Sequence, residues 1–349
     1  MTNSLLSQIQ ALGVVVDIDS MDYKAAKSLS VSTTFHSMTS NQAIVNGQLQ
    51  VQWDANLEPL VSQYVQDAVI DISTEDGILE VLNLVTVLLA SKVIPYLDKT
   101  GRVLAQTSPR TAYDKDATVA HAKAIINVFG KHGISRRVEQ DRVCIKIPVT
   151  PQSILACKEL EESGIRTLGT CLFSVPQAMA ASQAGCLSIS PYFNELRVHF
   201  PEGASSYIEY SDPVRQHPMS PIIYSIIQAF KERQTSTTVV PASIITVDEA
   251  VALARLRPHH LTISDRVLAL LAGAPGRSDD ELAAVTFKVT EEKSVFDADY
   301  LFNNAAALQI ALSKDAETSR KIKEALEIFG RLEEESIQFL RKALSAHEA

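Results

Sequence analysis

Short runs of aliphatic and β-branched residues alternate with longer helical segments along most of this sequence. Eight such runs predict strands, and they cover residues 13–17, 30–34, 102–107, 142–147, 166–172, 186–190, 237–241 and 260–264. Strands separated by helices form parallel sheets, because the chain must cross the sheet before it can re-enter it in the same direction. Eight such units within about 270 residues favour a closed (β/α)8 barrel of the TIM type over an open, doubly wound sheet.

The segment after residue 276 has a different character from the rest of the chain. From Asp279 to the end its sequence is charged and typical of helices, and between Thr318 and Leu344 it pairs Lys and Glu at helical spacing. We therefore predict a (β/α)8 barrel over residues 1–275 and a C-terminal helical extension over residues 276–349 that packs on it.

The charge balance limits the class of partner. The chain has 349 residues, with 32 Lys and Arg against 41 Asp and Glu and a formal charge of −9, which argues against nucleic acid. The short basic run at residues 131–137 is typical of a solvated loop. The apolar segment at residues 78–97 contains Glu80 and Lys92 and predicts a buried helix, so no membrane partner is expected. Four cysteines without a C-x-x-C pair and a polar N-terminus predict buried thiols and a cytoplasmic protein.

The sequence contains no motif for a cofactor or a metal. Neither G-x-G-x-x-G after the first strand nor a Walker-type loop is present, and the G-x-S-x-G elbow of hydrolases is absent. The eight histidines are scattered, and the neighbours His259 and His260 point to opposite sides of a strand. We expect neither cofactor nor metal.

Lys146 is the most informative residue at the strand ends, where barrel enzymes keep their catalytic groups. It lies inside the apolar run Val-Cys-Ile-Lys-Ile-Pro, which predicts a buried strand, and lysine is rarely buried without a reason. Burial lowers a lysine pKa, and a neutral amine can attack a ketone or aldehyde to form a Schiff base. The alternative is a lysine paired with a carboxylate inside the barrel.

Other strand ends carry groups that could assist such a lysine. Asp17 closes the first predicted strand and could take a substrate hydroxyl proton, although an aspartate there is as often a helix cap. Tyr192 and Thr170 could hold a water that moves protons, although a tyrosine after a strand is more often a packing residue.

These residues resemble the transaldolase family of class I aldolases. The run at residues 141–150 is similar to the Schiff-base strand of transaldolases, and further likeness lies at residues 15–17, 32–34, 113–124, 169–174, 184–192 and 260–263. The resemblance implies a barrel with extra helices, a covalent ketose intermediate on Lys146 and a chain able to form a homodimer.

Three departures from transaldolases resemble fructose-6-phosphate aldolases instead. Gln106 stands at a glutamate position, Leu168 at an asparagine position, and Tyr192 at a phenylalanine position. In those aldolases a tyrosine with a bound water takes the acid–base role. The resemblance assigns that role to Tyr192, with help from Gln106 and Thr170.

Other departures concern the substrate. The family's ketose-binding asparagine aligns with Phe35, and its two phosphate-binding cations align with Glu195 and Ile245. A phosphate needs charge-assisted donors, so we expect a neutral or differently charged carbonyl substrate unless Arg197 or Arg266 replaces the lost cations. The remaining polar residues at the strand ends would orient substrate and water, and they are Thr33, Ser190 and Ser243.

The sequence thus predicts a cofactor-free enzyme that makes, breaks or transfers an aldol bond through an imine on Lys146. A true transaldolase that moves dihydroxyacetone between sugar phosphates is the second interpretation. A non-catalytic barrel that binds a small carbonyl or sugar ligand is the third, and a condensation or cyclisation through an iminium also stays open.

Overall fold

The computed structural model of the chain describes residues 4–54, 56–132 and 140–345. Most of the basic run at residues 131–137 therefore lies outside the described residues. The described residues form seven strands, which are β1 (Val15–Ile18), β2 (Val103–Gln106), β3 (Val143–Pro148), β4 (Thr167–Leu172), β5 (Ser188–Pro191), β6 (Thr238–Val239) and β7 (His260–Ile263). Strands β2 to β6 pair in chain order, β1 pairs with β7, and every pairing is parallel. The prediction of a mostly parallel α/β fold is confirmed.

Helices separate the strands and follow them to the C-terminus. They are α1 (Leu5–Ala11), α2 (Tyr23–Leu29), α3 (Gln42–Gln52), α4 (Leu57–Asp67), α5 (Glu75–Val93), α6 (Lys115–His132), α7 (Pro151–Glu162), α8 (Val175–Gln183), α9 (Pro213–Gln216), α10 (Met219–Glu232), α11 (Val247–Ala254), α12 (Asp265–Gly273), α13 (Asp279–Leu282), α14 (Lys293–Asp297), α15 (Phe302–Lys314) and α16 (Ala316–Ser345). Single 3₁₀ turns occur at Ile94–Tyr96, Pro109–Thr111, Gln140–Arg142, Leu196–His199 and Ala204–Ser206. The Thr150 side chain caps α7, which begins at Pro151.

The strand predicted at residues 30–34 is wrong. Helix α2, capped by the Asp22 carboxylate, ends at Leu29, and the residues after it turn into solvent, where Val31 is 88% exposed. β-Branched residues favour a strand only where neighbouring strands contact them, and none of the residues 30–34 pairs with a strand of the described chain. The paired segment begins five residues later, at residue 35.

Residues 35–39 connect β1 to β2. The Ile18 and Met38 N–H groups donate to the carbonyls of Ser37 and Arg102, at 2.9 and 2.8 Å. At the other edge of the five-stranded sheet, the Thr262 N–H in β7 donates to the Pro241 carbonyl, just after β6, at 3.2 Å. Backbone hydrogen bonds therefore link the two sheets on both sides.

Most apolar side chains form one core between the strands and the helices around them. Within the described ranges, the region Glu75–Tyr96 is long and apolar enough to cross a membrane, but 67% of its most apolar window is buried inside the protein. That burial is typical of a core helix, as the sequence predicted. The four cysteines are free and buried, also as predicted.

The C-terminal helix α16 packs beside the carboxyl ends of the strands. Glu333 accepts a hydrogen bond from the Ser108 hydroxyl after β2 at 2.7 Å, and Arg320 donates to Glu195 after β5 at 2.8 Å. The predicted continuous helicity beyond Asp279 is interrupted, because residues 283–292 contain no helix. Instead, the Val285 N–H donates to the Arg255 carbonyl at the end of α11.

We predict that Gly101→Ala destabilises the fold where residues 35–39 meet β2. A Cβ at Gly101 would lie 1.5 Å from the His36 carbonyl oxygen, and backbone cannot move aside as a side chain can. The free energy of unfolding in urea should fall by about 1–3 kcal/mol or more.

Gly47→Ala is the matched control, because a Cβ there has no neighbour within 4 Å and the residue lies inside α3. It should raise the free energy of unfolding by up to ~1 kcal/mol. Equal effects of the two substitutions would contradict the close approach at Gly101.

Candidate active site

Lys146 occupies the middle of β3, with strands hydrogen-bonded on both sides. Its register partners are Gln106 in β2 and Leu168 in β4, and only 1% of its surface is exposed. No carboxylate among the described residues lies within ion-pair distance of its amine. Burial lowers the pKa of Lys146 because it disfavours the ammonium, and the charges of Asp19 and Cys171 oppose this only in part.

A cavity of about 270 Å³ opens in front of the Lys146 amine at the carboxyl ends of the strands. Its polar side chains come from several strands and loops, and they include Asp19, Asn41, Tyr192, His199, Ser243 and Thr262. Leu196, Phe200 and Ile244 add apolar surface. Such a mixture of apolar wall and convergent polar groups is typical of a small-molecule site.

Asp19 is the carboxylate of this cavity. It follows directly after β1, and one of its oxygens accepts a hydrogen bond from the Thr39 hydroxyl at 2.5 Å. The Thr39 hydroxyl also contacts that of Thr262 at 2.6 Å, so the carboxylate is fixed from two neighbouring segments.

Tyr192 presents a protonated hydroxyl beside Lys146. Burial raises the pKa of Tyr192, so the phenol keeps its proton at neutral pH. The Thr170 hydroxyl donates to the Tyr192 oxygen at 3.2 Å, and the ring packs edge-on against Phe173. The Lys146 amine lies 5.8 Å from the centre of the Tyr192 ring. The tyrosine hydroxyl therefore has two partners, because it accepts from Thr170 and is also hydrogen-bonded to the Cys171 thiol.

His199 and Ser243 lie together at the mouth of the cavity. Their Nε2 and Oγ atoms are 2.7 Å apart. Surrounding protein atoms lower the pKa of His199, although part of the ring is open to solvent, and the nearby Arg266 adds to that effect while Asp19 opposes it. Ser243 has a φ of 63°, and the Asn194 amide donates to its carbonyl oxygen at 2.9 Å.

Asp17 lies at the other end of the strands, away from Lys146. It lines a second cavity, of about 190 Å³, together with His36, Arg102 and His260. Burial opposes ionisation of Asp17, but hydrogen bonds and charges of His260 and His36 outweigh it and lower the pKa. In the part of the chain that the structure describes, Asp17, His36 and His260 are the one group whose side chains could together hold a metal ion.

Several other predicted site residues are buried without lining the Lys146 cavity. Gln106 donates to Gln42 at 2.6 Å and lines a small cavity, of about 20 Å³, that shares Asn41 with the larger one. Leu168 lines the Asp17 cavity. The remaining three are buried residues outside the Lys146 cavity, and they are Thr33, Phe35 and Ser190.

The positions assigned to a phosphate clamp carry no free cation at the cavity. Glu195 is held between Arg197 and Arg320, with contacts of 2.9 and 2.8 Å, and does not line the cavity. The Ile245 carbonyl accepts from Arg266 at 3.2 Å. Of the lining residues, Lys146 and His199 alone can carry positive charge.

Several cavity residues were not predicted from the sequence, among them Asp19, Asn41 and His199. Asp19 was detectable, because it lies two residues after Asp17 and a strand repeats its face every two residues. Extending β1 by one residue brings its end to Asp19. Asn41 follows residues 35–39, whereas the strand was predicted at residues 30–34. His199 lies on a loop, and its position depends on the tertiary structure.

The fold and the site together define a parallel α/β protein with a buried lysine that has no ion-pair partner among the described residues and faces a cavity at the strand ends. The family model for transaldolase and fructose-6-phosphate aldolase matches residues 16–337. The chain belongs to that family.

Curated relatives agree with this assignment at modest identity. A protein named transaldolase from a Synechocystis strain is 27% identical to this chain over 342 residues. The match covers 97% of this chain and 83% of the relative. The transaldolase of a Marinomonas strain is 27% identical over 287 residues, with 82% and 84% covered. That of Kluyveromyces lactis is 30% identical over 329 residues, with 93% and 91% covered.

We predict that the burial of Lys146 makes stability depend on pH. The unfolded chain holds this proton up to pH ~10.4, whereas the folded chain releases it at lower pH, so raising the pH through that window stabilises the folded protein. Lys146→Met should be more stable than the parent chain at pH 6. As the pH rises from the folded-state pKa of Lys146 to its unfolded-state pKa, this difference in unfolding free energy should shrink, by about 1.4 kcal/mol for each unit between the two pKa values.

Urea unfolding at pH 6, 7.5 and 9 measures this difference. Ile147→Met serves as control, because it places the same side chain at the next buried position of β3 without removing a charge. A gap between Lys146→Met and the parent chain that stays constant with pH would mean that the Lys146 pKa is ordinary.

Proposed function

We propose that this protein is a class I aldolase that forms a covalent imine between Lys146 and a carbonyl substrate. One observation carries the proposal: the Lys146 amine is buried, has no carboxylate within ion-pair distance among the described residues, and faces a cavity. A lysine in that setting loses its proton more readily than an exposed lysine, and the neutral amine is nucleophilic. Family membership supports the same chemistry.

Imine formation begins with attack of the neutral amine on the carbonyl carbon. The resulting carbinolamine loses its hydroxyl as water, with a proton supplied from the cavity, and leaves a cationic iminium on Lys146. Tyr192 is the proposed proton donor, since its hydroxyl stays protonated and its oxygen is supported by Thr170.

Bond cleavage then uses the iminium as an electron sink. Asp19 removes the proton of the hydroxyl on the carbon beyond the breaking bond, that carbon becomes an aldehyde, and the bonding pair moves into the iminium to give an enamine. The proton that Asp19 took passes through Tyr192 to the enamine carbon. Hydrolysis of the resulting iminium releases the second product, restores the amine and returns a proton to Tyr192. Asp19 replaces Asp17 in this proposal because it lines the Lys146 cavity.

We propose a substrate without the usual phosphate. Glu195 is neutralised by two arginines and the Lys146 cavity is lined by no arginine, so a phosphate would lack bidentate partners there. Asn41, rather than Phe35, is proposed to contact the ketose hydroxyls, since its amide lines the cavity.

We also propose how the strands and the C-terminal helices are arranged. Residues 35–39 would act as the eighth strand of a closed (β/α)8 barrel, supported by the backbone hydrogen bonds at both seams. Residues 1–275 would form this barrel and residues 276–349 the helical extension, in a cytoplasmic enzyme able to form a homodimer.

Transaldolase activity is the second proposed function, and the names of the relatives favour it. It requires that a sugar phosphate bind despite the missing lining cations. Arg266, which lies near His199, is the residue that could supply such a contact.

We predict that borohydride traps dihydroxyacetone on Lys146. Reduction of the imine should add mass to the peptide that contains Lys146, and Lys146→Met should give no adduct. Lys92→Met is the matched control, because burial lowers the pKa of Lys92 as well but that lysine lies outside the cavity and should not react.

A transfer assay decides the substrate class. Fructose and fructose 6-phosphate are compared as donors, with erythrose 4-phosphate as the acceptor. Efficient transfer to erythrose 4-phosphate would replace our proposal with the transaldolase function. The absence of an adduct with every carbonyl tested would leave the non-catalytic interpretation.

We predict that Asp19→Asn lowers kcat for aldol cleavage by about 10²–10⁴-fold, because the hydroxyl proton loses its acceptor. Imine trapping on Lys146 should persist in this variant. Asp17→Asn makes the same chemical change outside the Lys146 cavity and should lower kcat by less than about tenfold. A larger loss for Asp17→Asn, in a variant with an unchanged circular dichroism spectrum, would restore Asp17 as the catalytic carboxylate.

A further inference from the structure

Three side chains with metal-ligating atoms meet at the end of the strands opposite to Lys146. Asp17 belongs to β1, His36 to the segment between α2 and α3, and His260 to β7; one ligand atom of each lies within 4.8 Å of the others. We propose that these residues form a binding site for a divalent transition-metal ion, for which Zn²⁺ is the best match.

The distances within the cluster fit a common metal. One Asp17 oxygen lies 3.0 Å from His260 Nδ1, and the other lies 3.7 Å from His36 Nδ1. Two ligands of one tetrahedral zinc, each at roughly 2.0–2.1 Å, are roughly 3.3–3.4 Å apart. The two contacts involve different oxygens of Asp17, but one ligand atom of each residue lies within 4.8 Å of the others, so rotations of the side chains would bring one Asp17 oxygen and both rings to one ion.

The ligands are held by a rigid backbone. The Ser37 N–H donates to the Asp17 carboxylate at 2.8 Å, which orients one oxygen and leaves the other for the metal. The His36 N–H donates to the Val16 carbonyl at 3.0 Å, and Val15 is the register partner of His260. All three ligands are thus anchored directly to β1 or to its pairing partners.

The cluster is accessible and has room for further ligands. The side chains of His36 and His260 are 29% and 17% exposed, and the cavity in front of them measures about 190 Å³. Arg102 lines the same cavity, and its Nε has no hydrogen-bond partner among the described residues. Two imidazoles and one carboxylate leave a coordination position open, where water or an anion paired with Arg102 would bind.

The proposed site is separate from the catalytic chemistry. None of its three ligands lines the Lys146 cavity, and the Asp19 and Thr39 pair stands between the two cavities. A metal here would cross-link β1, β7 and residues 35–39, so its expected effect is on stability. Imine trapping on Lys146 does not depend on it, and failure of either proposal leaves the other intact.

The test uses tag-free, full-length protein stripped of metal on a chelating resin. Titration calorimetry with Zn²⁺ alone should give one ion per chain, and elemental analysis after dialysis should give the same ratio. Zinc should also raise the thermal unfolding midpoint, because it binds the folded chain in preference to the unfolded one. X-ray absorption at the zinc edge should report two imidazoles and otherwise only oxygen ligands.

Substitutions locate the bound ion. His36→Gln and His260→Gln should each weaken zinc binding by at least about tenfold, because losing even a residue that only hydrogen-bonds to a metal ligand lowers metal affinity by about that factor. His259→Gln is the matched control and should bind normally, because that ring accepts from the Val239 N–H instead.

The proposal is overturned if the parent chain binds zinc no more tightly than the His36→Gln/His260→Gln double variant. In that case the cluster is a hydrogen-bonded arrangement of Asp17 with two histidines and nothing more. If a variant does not fold, as judged by circular dichroism, the absorption spectrum of the parent chain decides alone: a zinc shell with sulfur or without imidazole overturns the site.

Discussion

The rest of the site depends on the burial of the Lys146 amine, which has no carboxylate within ion-pair distance in the part of the chain that the structure describes. An ion pair would hold the ammonium charged, and exposure to water would do the same. Strand β3 prevents both, because it is hydrogen-bonded on each side and its neighbours Ile145 and Ile147 are fully buried. The side chain therefore has one free direction, toward the cavity that holds Asp19 and Tyr192.

The two-residue repeat of parallel strands divides the interior into two levels. Asp19, Lys146 and Thr262 line the Lys146 cavity, and the residues two positions earlier, Asp17, Cys144 and His260, line the opposite cavity. Identical backbone geometry thus supports two different chemistries. At one level no described carboxylate lies within ion-pair distance of Lys146. At the other level the Asp17 carboxylate contacts His36 and His260.

Segments outside the strands decide the electrostatics at the catalytic end. Helix α16 brings Arg320 to Glu195 and places the buried Glu333 beside Ser108, after β2. Burial raises the pKa of Glu333, so that this carboxyl is less readily ionised. The arginines near the cavity are engaged with acidic residues or with backbone carbonyls, and this is the basis of our proposal that the substrate carries no phosphate.

The sequence by itself determined the parallel α/β class, the strand that carries Lys146 and the residue types at the strand ends, because continuous apolar runs and β-branched composition are local properties. It misplaced the second strand, since Ser30 to Thr34 have strand-like composition without strand neighbours. Only the tertiary structure decided that Asp19 rather than Asp17 shares a cavity with Lys146, and that His36 meets His260. Those outcomes depend on the register between strands and on the path of loops, which backbone pairing sets across segments far apart in the chain.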